Sequence, residues 1–293
     1  MVEWKSLHIY YQEFEKHDYL IKNLLNPIIS NLLDTDKLCK FFFIRYWEKG
    51  NHLRVRFSFN KKNSNSNELQ YITSVVGDFL NKNPSSKRLI DDKDYNYWVN
   101  KENVGSKKIQ LNNRAIWEQY NPEIERYGGS QGIRISEEFF YKSSLLIMKI
   151  LSIRSLSYYE KLIIAYNFMN LYITKFCEYY KIDPAKYAYS YANSWLEFFN
   201  DGKFKSKILS TSKETHQKFR FEAANGYTKI WEELVCEHLE SLTTLVNKKY
   251  ITKEKAAEMS SSYIHMNNNR IGIKPKDEVL VSLILYRNLN TRW

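Results

Sequence analysis

The sequence has no closely spaced pair of cysteines. Its three, Cys39, Cys177 and Cys236, are far apart and odd in number, so neither a disulfide framework nor a zinc knuckle is supported. Cys236-Glu237-His238 is the one close Cys/His pair, and it reads as ordinary helix sequence. Long apolar runs are also missing: charges interrupt every stretch before it reaches the length of a membrane-spanning helix. Glu3, Lys5 and His8 break up the start, so no secretory signal pattern opens the chain. A reducing, cytoplasmic location without a membrane span is the expectation. No GxxxxGK[ST] phosphate loop, GxGxxG dinucleotide turn, HExxH zinc site or GxSxG nucleophile elbow occurs. The expectation is therefore chemistry with no cofactor, no metal and no covalent nucleophile.

Acidic residues are in short supply. Asp+Glu number 33 against 44 Lys+Arg, a formal net charge of +11. That excess suits an anionic partner such as nucleic acid, an acidic peptide or an acidic protein. It is equally what a lysine-rich surface gives in any soluble protein. Lys61-Lys62 and Lys107-Lys108 sit in loop-like runs away from any aromatic platform. No nucleic-acid module is recognisable, so direct nucleic-acid contact is not required.

What is present supports a folded chain. Hydrophobic residues make up 43% and aromatics 16% of 293 residues, enough for one large or two modest domains. Residues 4–12 read as a strand, and 18–33 as a helix bent at Pro27. The runs FFFIRYWE (41–48) and HLRVRF (52–57) read as two strands of a hairpin, with Lys49-Gly50 as the turn. In that register Arg45 opposes Arg54, Trp47 opposes His52 and Phe43 opposes Arg56. Strand periodicity puts His52, Arg54 and Arg56 on one face and Leu53, Val55 and Phe57 on the other. A crowd of like charges on one sheet face destabilises it. Something anionic is needed there, either the chain's own carboxylates or a ligand.

Residues 68–82 read as a second helix, 85–106 as irregular, and 108–111 as a short strand. The order β-α-β-β-α-β gives a fold class of α+β, with a ferredoxin-like N-terminal half (1–112) and a mainly helical C-terminal half (113–293). Ser157 and Glu160 form a capping box for a helix to about residue 181, and Asp183-Pro184 starts the next. Further helices are expected at about 213–247 with a break at Gly226, at 253–268 and at 276–288.

Three clusters can carry chemistry. The first is the basic hairpin face of Arg45, His52, Arg54 and Arg56. The second is YNPEIERYGGSQG (120–132), where Glu123, Glu125 and Arg126 flank Gly128-Gly129; those glycine amides either approach a ligand or form only a turn. The third is YIHMNNNRIG (263–272), where His265 is either a satisfied core histidine or a proton carrier, with Arg270 beside it. Arginines bind carboxylates bidentately, and a histidine moves protons near neutral pH.

FFIRYWEKGNHLRVRF (42–57), PEIERYGG (122–129) and HMNNNRIG (265–272) resemble, in order, conserved blocks of the C-terminal domain of class I lantibiotic dehydratases. That family also occurs as free-standing thiopeptide-type bacteriocin biosynthesis proteins. The resemblance implies β-elimination of glutamate from glutamylated Ser or Thr of a precursor peptide, leaving dehydroalanine or dehydrobutyrine. It implies as partners the precursor peptide, a separate tRNA-dependent glutamylating component, and a cyclase or azole-forming enzyme. Carried over by motif, the elimination residues are Arg56, Arg126 and His265, with Arg54 beside them. Arg45, His52, Arg270 and Tyr127 fall on positions implied to bind substrate. The family's Asp-Ser pair downstream of RYGG is here Ser143-Ser144. Two rival readings remain at this level: a cycloaddition enzyme that joins two dehydroalanines into a pyridine ring, and a non-catalytic subunit that holds an extended precursor peptide along a sheet edge.

Overall fold

The computed structural model describes residues 3–60, 66–86, 96, 109–219 and 226–290. The described residues of 1–121 and 148–155 cluster as one compact unit, and those of 122–147 and 156–293 as another. Together they are α+β.

The first unit is built on four strands: β1 (Lys5–Tyr10), β2 (Leu38–Tyr46), β3 (His52–Phe59) and β4 (Arg114–Gln119). The sheet order is β2-β3-β1-β4, and every neighbouring pair is antiparallel. Helix α1 (His17–Leu20) runs through a π-helical turn, Ile21–Leu25, into α2 (Asn26–Asp34). Pro27 has no N–H to donate, and the chain widens by one residue just ahead of it. Helix α3 (Ser66–Lys82) completes the unit. One sheet face is mainly apolar: Leu7, Ile9, Phe41, Phe43, Leu53, Val55 and Phe57 are buried, as are Ile28, Leu32, Ile72 and Val76 on the helices, and Arg45, opposite Leu53, is a charged group on that face. The indole Nε1 of Trp117 on β4 donates to Thr73 Oγ1 of α3 at 2.9 Å, fastening helix to sheet edge.

Two expectations are corrected. The fourth strand is Arg114–Gln119; residues 109–111 carry no regular structure, and residue 108 lies outside the described residues. The alternation IQL looked strand-like, but Leu111 is exposed, and Asn112 uses its side chain to accept from the Gln12 and Asn113 amides. That local capture makes a turn, so the strand begins after it. The hairpin register is also shifted by one. Tyr46 opposes His52, Ile44 opposes Arg54 and Phe42 opposes Arg56. Lys49 and Gly50 both have positive φ, and the Gly50 amide donates to Trp47 O at 2.9 Å. The connection therefore spans residues 47–51, and a one-residue shift moves every β2 side chain to the other face.

The second unit is helical: α4 (Gly129–Ile153, its end counted with the first unit), α5 (Tyr158–Tyr180), α6 (Pro184–Phe199), α7 (Gly202–Thr215), α8 (Gly226–Asn247), α9 (Lys253–Ile271) and α10 (Pro275–Asn290). The capping box at Ser157/Glu160 is formed, and Asp183 caps α6 through the Ala185 and Lys186 amides, each cap contributing about 1 kcal/mol. Gly272 ends α9 at φ +94°. The helix expected at 213–247 with a break at Gly226 is two separate helices. Helix α7 stops at Thr215, a 3-10 turn follows at His216–Lys218, and α8 begins at Gly226. Residues 220–225 lie outside the described residues. In the core, Trp231 stacks on Phe168 at 4.7 Å and donates to its carbonyl at 3.0 Å. Among the described residues no helix is long and apolar enough to cross a membrane.

Candidate functional site

On the sheet, the register places Ser6, His8 and Tyr10 of β1 directly opposite Arg56, Arg54 and His52 of β3. All six share the non-apolar face with Phe42 and Tyr46 of β2. His52 is buried, with Nδ1 2.7 Å from Gly50 O and Nε2 3.1 Å from Arg54 Nε. A carbonyl only accepts and a guanidinium only donates. His52 therefore carries its proton on Nδ1 and offers the Nε2 lone pair to Arg54. Burial, with Arg54 adding to it, holds His52 well below the ordinary imidazole value, against the pull of the Gly50 carbonyl. Both ring nitrogens are thus taken up within the fold, by the Gly50 carbonyl and by Arg54.

Arg54 is clamped on three sides. Its guanidinium lies 3.5 Å from the Tyr46 ring centroid, its Nε on His52, and Nη2 3.9 Å from Glu48 Oε2. Arg56 is nearly buried, 5.4 Å from the Phe42 centroid and 5.6 Å from that of Tyr120. Trp4 packs on Phe42 at 4.9 Å. His8 stacks on His52 at 5.1 Å, and burial followed by the charges of Arg54 and Arg56 pushes its pKa down to about 3. His8 is thus neutral at working pH. The buried hydroxyl of Ser6, opposite Arg56, has no hydrogen-bond partner among the described residues.

Arg45 does not belong to this face. It opposes Leu53, is buried, and its Nη2 donates to Asp18 Oδ1 at 2.6 Å. The expected Arg45–Arg54 neighbourhood rested on the register now corrected, and Arg45 is an internal tie to α1.

In the helical unit, Arg126 stands partly exposed. Its Nε donates to Ser262 Oγ of α9 at 3.1 Å and its Nη1 to both Glu123 carboxylate oxygens at 3.3 Å. The next residue, Tyr127, is buried against Tyr263 and Phe140. It is part of the core and does not line a surface. The Gly128 and Gly129 amides donate to Glu125 O and Ile124 O, so this pair is a turn. Glycine is required at 128 because φ is +74° and a Cβ would come 2.7 Å from Ile251 Cγ2.

His265 lies on α9. Its Nδ1 is 3.0 Å from Glu278 Oε1; the imidazole is one-fifth exposed and the carboxylate fully buried. Tyr191 donates its hydroxyl to the other oxygen, Glu278 Oε2, at 2.6 Å. Burial, then the Glu278 charge, holds Tyr191 well above the ordinary phenol value, so it stays a donor. Trp195, one turn along α6 from Tyr191, lies 5.1 Å from the His265 ring. Arg270 is fully buried, with Nε on Ser144 Oγ at 3.0 Å and its guanidinium 5.0 Å from Phe140. It braces the helical core through Ser144 of the Ser143-Ser144 pair, and the burial does not suit the substrate contact expected of it. Among the described residues no group of three His, Cys, Asp or Glu side chains is arranged to hold a metal.

Sequence reasoning missed His8, Tyr10, Tyr46 and Tyr120 around the arginines, and Glu278, Tyr191, Trp195 and Ser262 in the helical unit. Two signals were available. His8 and Tyr10 have the parity of a strand face. Glu278 shares a helical stripe with Ser282, Leu285 and Leu289, all buried, and a carboxylate on such a stripe needs a partner.

Residues 4–289 match the family described as "Lantibiotic biosynthesis dehydratase C-term". The chain is 23% identical to the epidermin biosynthesis protein EpiB of Staphylococcus epidermidis over 99% of its own length and 26% of that protein's, so it spans about a quarter of that relative. Among solved structures it is similar to the pyridine synthase TbtD from thiomuracin biosynthesis (15% identity, TM-score 0.76, covering 99% of this chain and 98% of that one). It is also similar to TsrL (12%, 0.66, 99% and 95%). The tRNA-dependent lantibiotic dehydratase MibB from Microbispora sp. 107891 matches at 15% identity and a TM-score of 0.58, over 99% of this chain and 28% of that one. These structural likenesses concern the fold, while the family match covers nearly every residue: the chain belongs to the lantibiotic biosynthesis dehydratase C-terminal family.

Proposed function

We propose that the protein eliminates glutamate from glutamylated Ser or Thr residues of a precursor peptide, giving dehydroalanine or dehydrobutyrine in the biosynthesis of a ribosomally made peptide product. A separate tRNA-dependent component supplies the glutamyl ester, and a cyclase or azole-forming enzyme acts on the same peptide. The strand order, with crossovers through α1–α2 and α3, supports a ferredoxin-like reading of the first unit.

The elimination removes the Cα proton, forms the Cα–Cβ double bond and breaks the Cβ–O bond, so glutamate departs as a carboxylate. Negative charge develops on the enolate and on the leaving group. Arg54 and Arg56, braced by rings and by the neutral His52, suit the glutamyl carboxylate. Arg126 suits the enolate or leaving oxygen, and His265 moves the proton. The observation that carries this reading is His265: a partly exposed imidazole whose inner nitrogen is tied to a buried carboxylate.

The likeness to TbtD over nearly the full length of both chains favours a second reading, pyridine formation from two dehydroalanines. Enzymes of that kind tend to lose the elimination arginines and histidine, and Arg56, Arg126 and His265 are all present here. Mass spectrometry of a defined glutamyl-seryl peptide ester incubated with the purified protein tests the choice. Loss of the whole glutamate, leaving the peptide one water lighter than its unmodified form, is the expected result. An unchanged ester together with cyclisation of a bis-dehydroalanine peptide would overturn elimination in favour of the second reading.

A further inference from the structure

We infer that Glu278 and Tyr191 are positioning residues that make His265 Nε2 the base for the Cα proton. This rests on the elimination reading above and adds which nitrogen acts and what holds it. Glu278 sits in the first turn of α10, where the positive end of the helix favours a carboxylate. Two groups converge on it: the Tyr191 hydroxyl on Oε2 and His265 Nδ1 on Oε1. An ionised carboxylate only accepts, so the hydrogen on the His265 contact belongs to Nδ1. In the neutral ring Nε2 is then left with its lone pair. Among the described residues no hydrogen bond occupies Nε2.

The consequence is directional. A histidine in this tautomer takes a proton at Nε2 and is ill suited to give one from there first. When the proton arrives from Cα, the imidazolium forms beside an existing buried negative charge, which stabilises it without rearrangement. Tyr191 keeps the carboxylate from rotating away. Trp195, packed on the His265 ring at 5.1 Å, restricts the plane of the imidazole. Helices α6, α9 and α10 each supply one part, so the geometry is set by the core of the helical unit and by no mobile segment.

The test uses the full chain, the glutamyl-seryl peptide ester and the Glu278→Gln substitution, which keeps shape and removes charge. The expected result is a kcat lower by about 10²-fold or more with KM changed by less than about twofold. In a His265→Ala background the same substitution should cost nothing further, because its effect runs through the imidazole. Wild-type kcat in Glu278→Gln alongside a dead His265→Ala overturns this inference and leaves the elimination reading standing. A fully active His265→Ala overturns that reading itself. If Glu278→Gln does not fold, nitrogen–proton correlation spectra of the wild-type protein decide: an Nδ1-protonated His265 upholds the inference, and an Nε2-protonated one sinks it.

Discussion

The sheet unit and the helical unit hold their polar groups in opposite ways. On the polar sheet face, the two arginines rest chiefly on aromatic rings and on a neutral imidazole: Arg54 on Tyr46 and His52, with Glu48 at 3.9 Å, and Arg56 beside Phe42 and Tyr120. In the helical unit, the corresponding groups are tied to carboxylates: Arg126 to Glu123, and His265 to Glu278. Rings orient a guanidinium without consuming its charge. A carboxylate orients a histidine and also favours its charged form. The first arrangement suits a standing anion, such as the carboxylate of a bound substrate. The second suits a proton that comes and goes.

The largest expected effects test that division of labour. His265→Ala should lower the elimination rate by about 10²–10⁴-fold with little change in KM, since a proton carrier acts in the chemical step. Arg56→Lys keeps a charge but loses the flat fork that lies beside the Phe42 and Tyr120 rings. It should lower kcat/KM by about 10²-fold or more, with a rise in KM for the glutamyl ester that His265→Ala does not share. Rate measurements over a range of ester concentrations separate the two patterns. Equal KM effects from both substitutions would erase the contrast between a binding face and a proton-transfer site.

Much of this was legible in the sequence because it depends on period. The strands at 41–59 and the apolar faces of 66–82 and 157–180 follow from alternation and from helical spacing. The Ser157 and Asp183 caps follow from side chains that satisfy exposed amides. The hairpin face was correct for His52, Arg54 and Arg56, whose parity is internal to one strand. It was wrong for Arg45, whose face depends on how many residues the turn consumes. Two adjacent positive-φ residues at Lys49 and Gly50 set that count, and sequence specifies it weakly. The partners of His265 were invisible for a different reason. Glu278 is 13 positions away and Tyr191 on another helix altogether. Their meeting is a property of helix packing, which pattern alone does not encode.

The corrected register makes a smaller, sharper prediction. If Arg45 only ties β2 to α1, Arg45→Met leaves Asp18 without its cation and lowers stability by about 2 kcal/mol, discounted because Asp18 is about one-quarter exposed. Elimination per folded molecule should stay at the wild-type rate. Urea unfolding and a rate normalised to folded protein measure the two separately. A rate loss comparable with that of the Arg56 substitution would place Arg45 back among the functional arginines.

The smallest effect concerns histidines that never charge. His238 is buried among Phe139, Tyr172 and Tyr263, its Nε2 has no hydrogen-bond partner among the described residues, and burial pushes its pKa down to about 3. His8 on the sheet is held down to about 3 as well, by burial and then by the arginines. In the unfolded chain a histidine titrates near 6.5. Between those values the unfolded state binds a proton that the folded state refuses. Stability is therefore fully present above pH 6.5 and falls as pH drops towards 3. For His238 alone the loss at pH 5 relative to pH 7.5 is about 2 kcal/mol. His238→Met, an apolar side chain of similar reach, should flatten the stability–pH profile by that amount while leaving the slope due to His8 in place. Urea midpoints at pH 5 and 7.5 for both proteins read the difference directly. An unchanged slope would mean that His238 takes up a proton inside the fold.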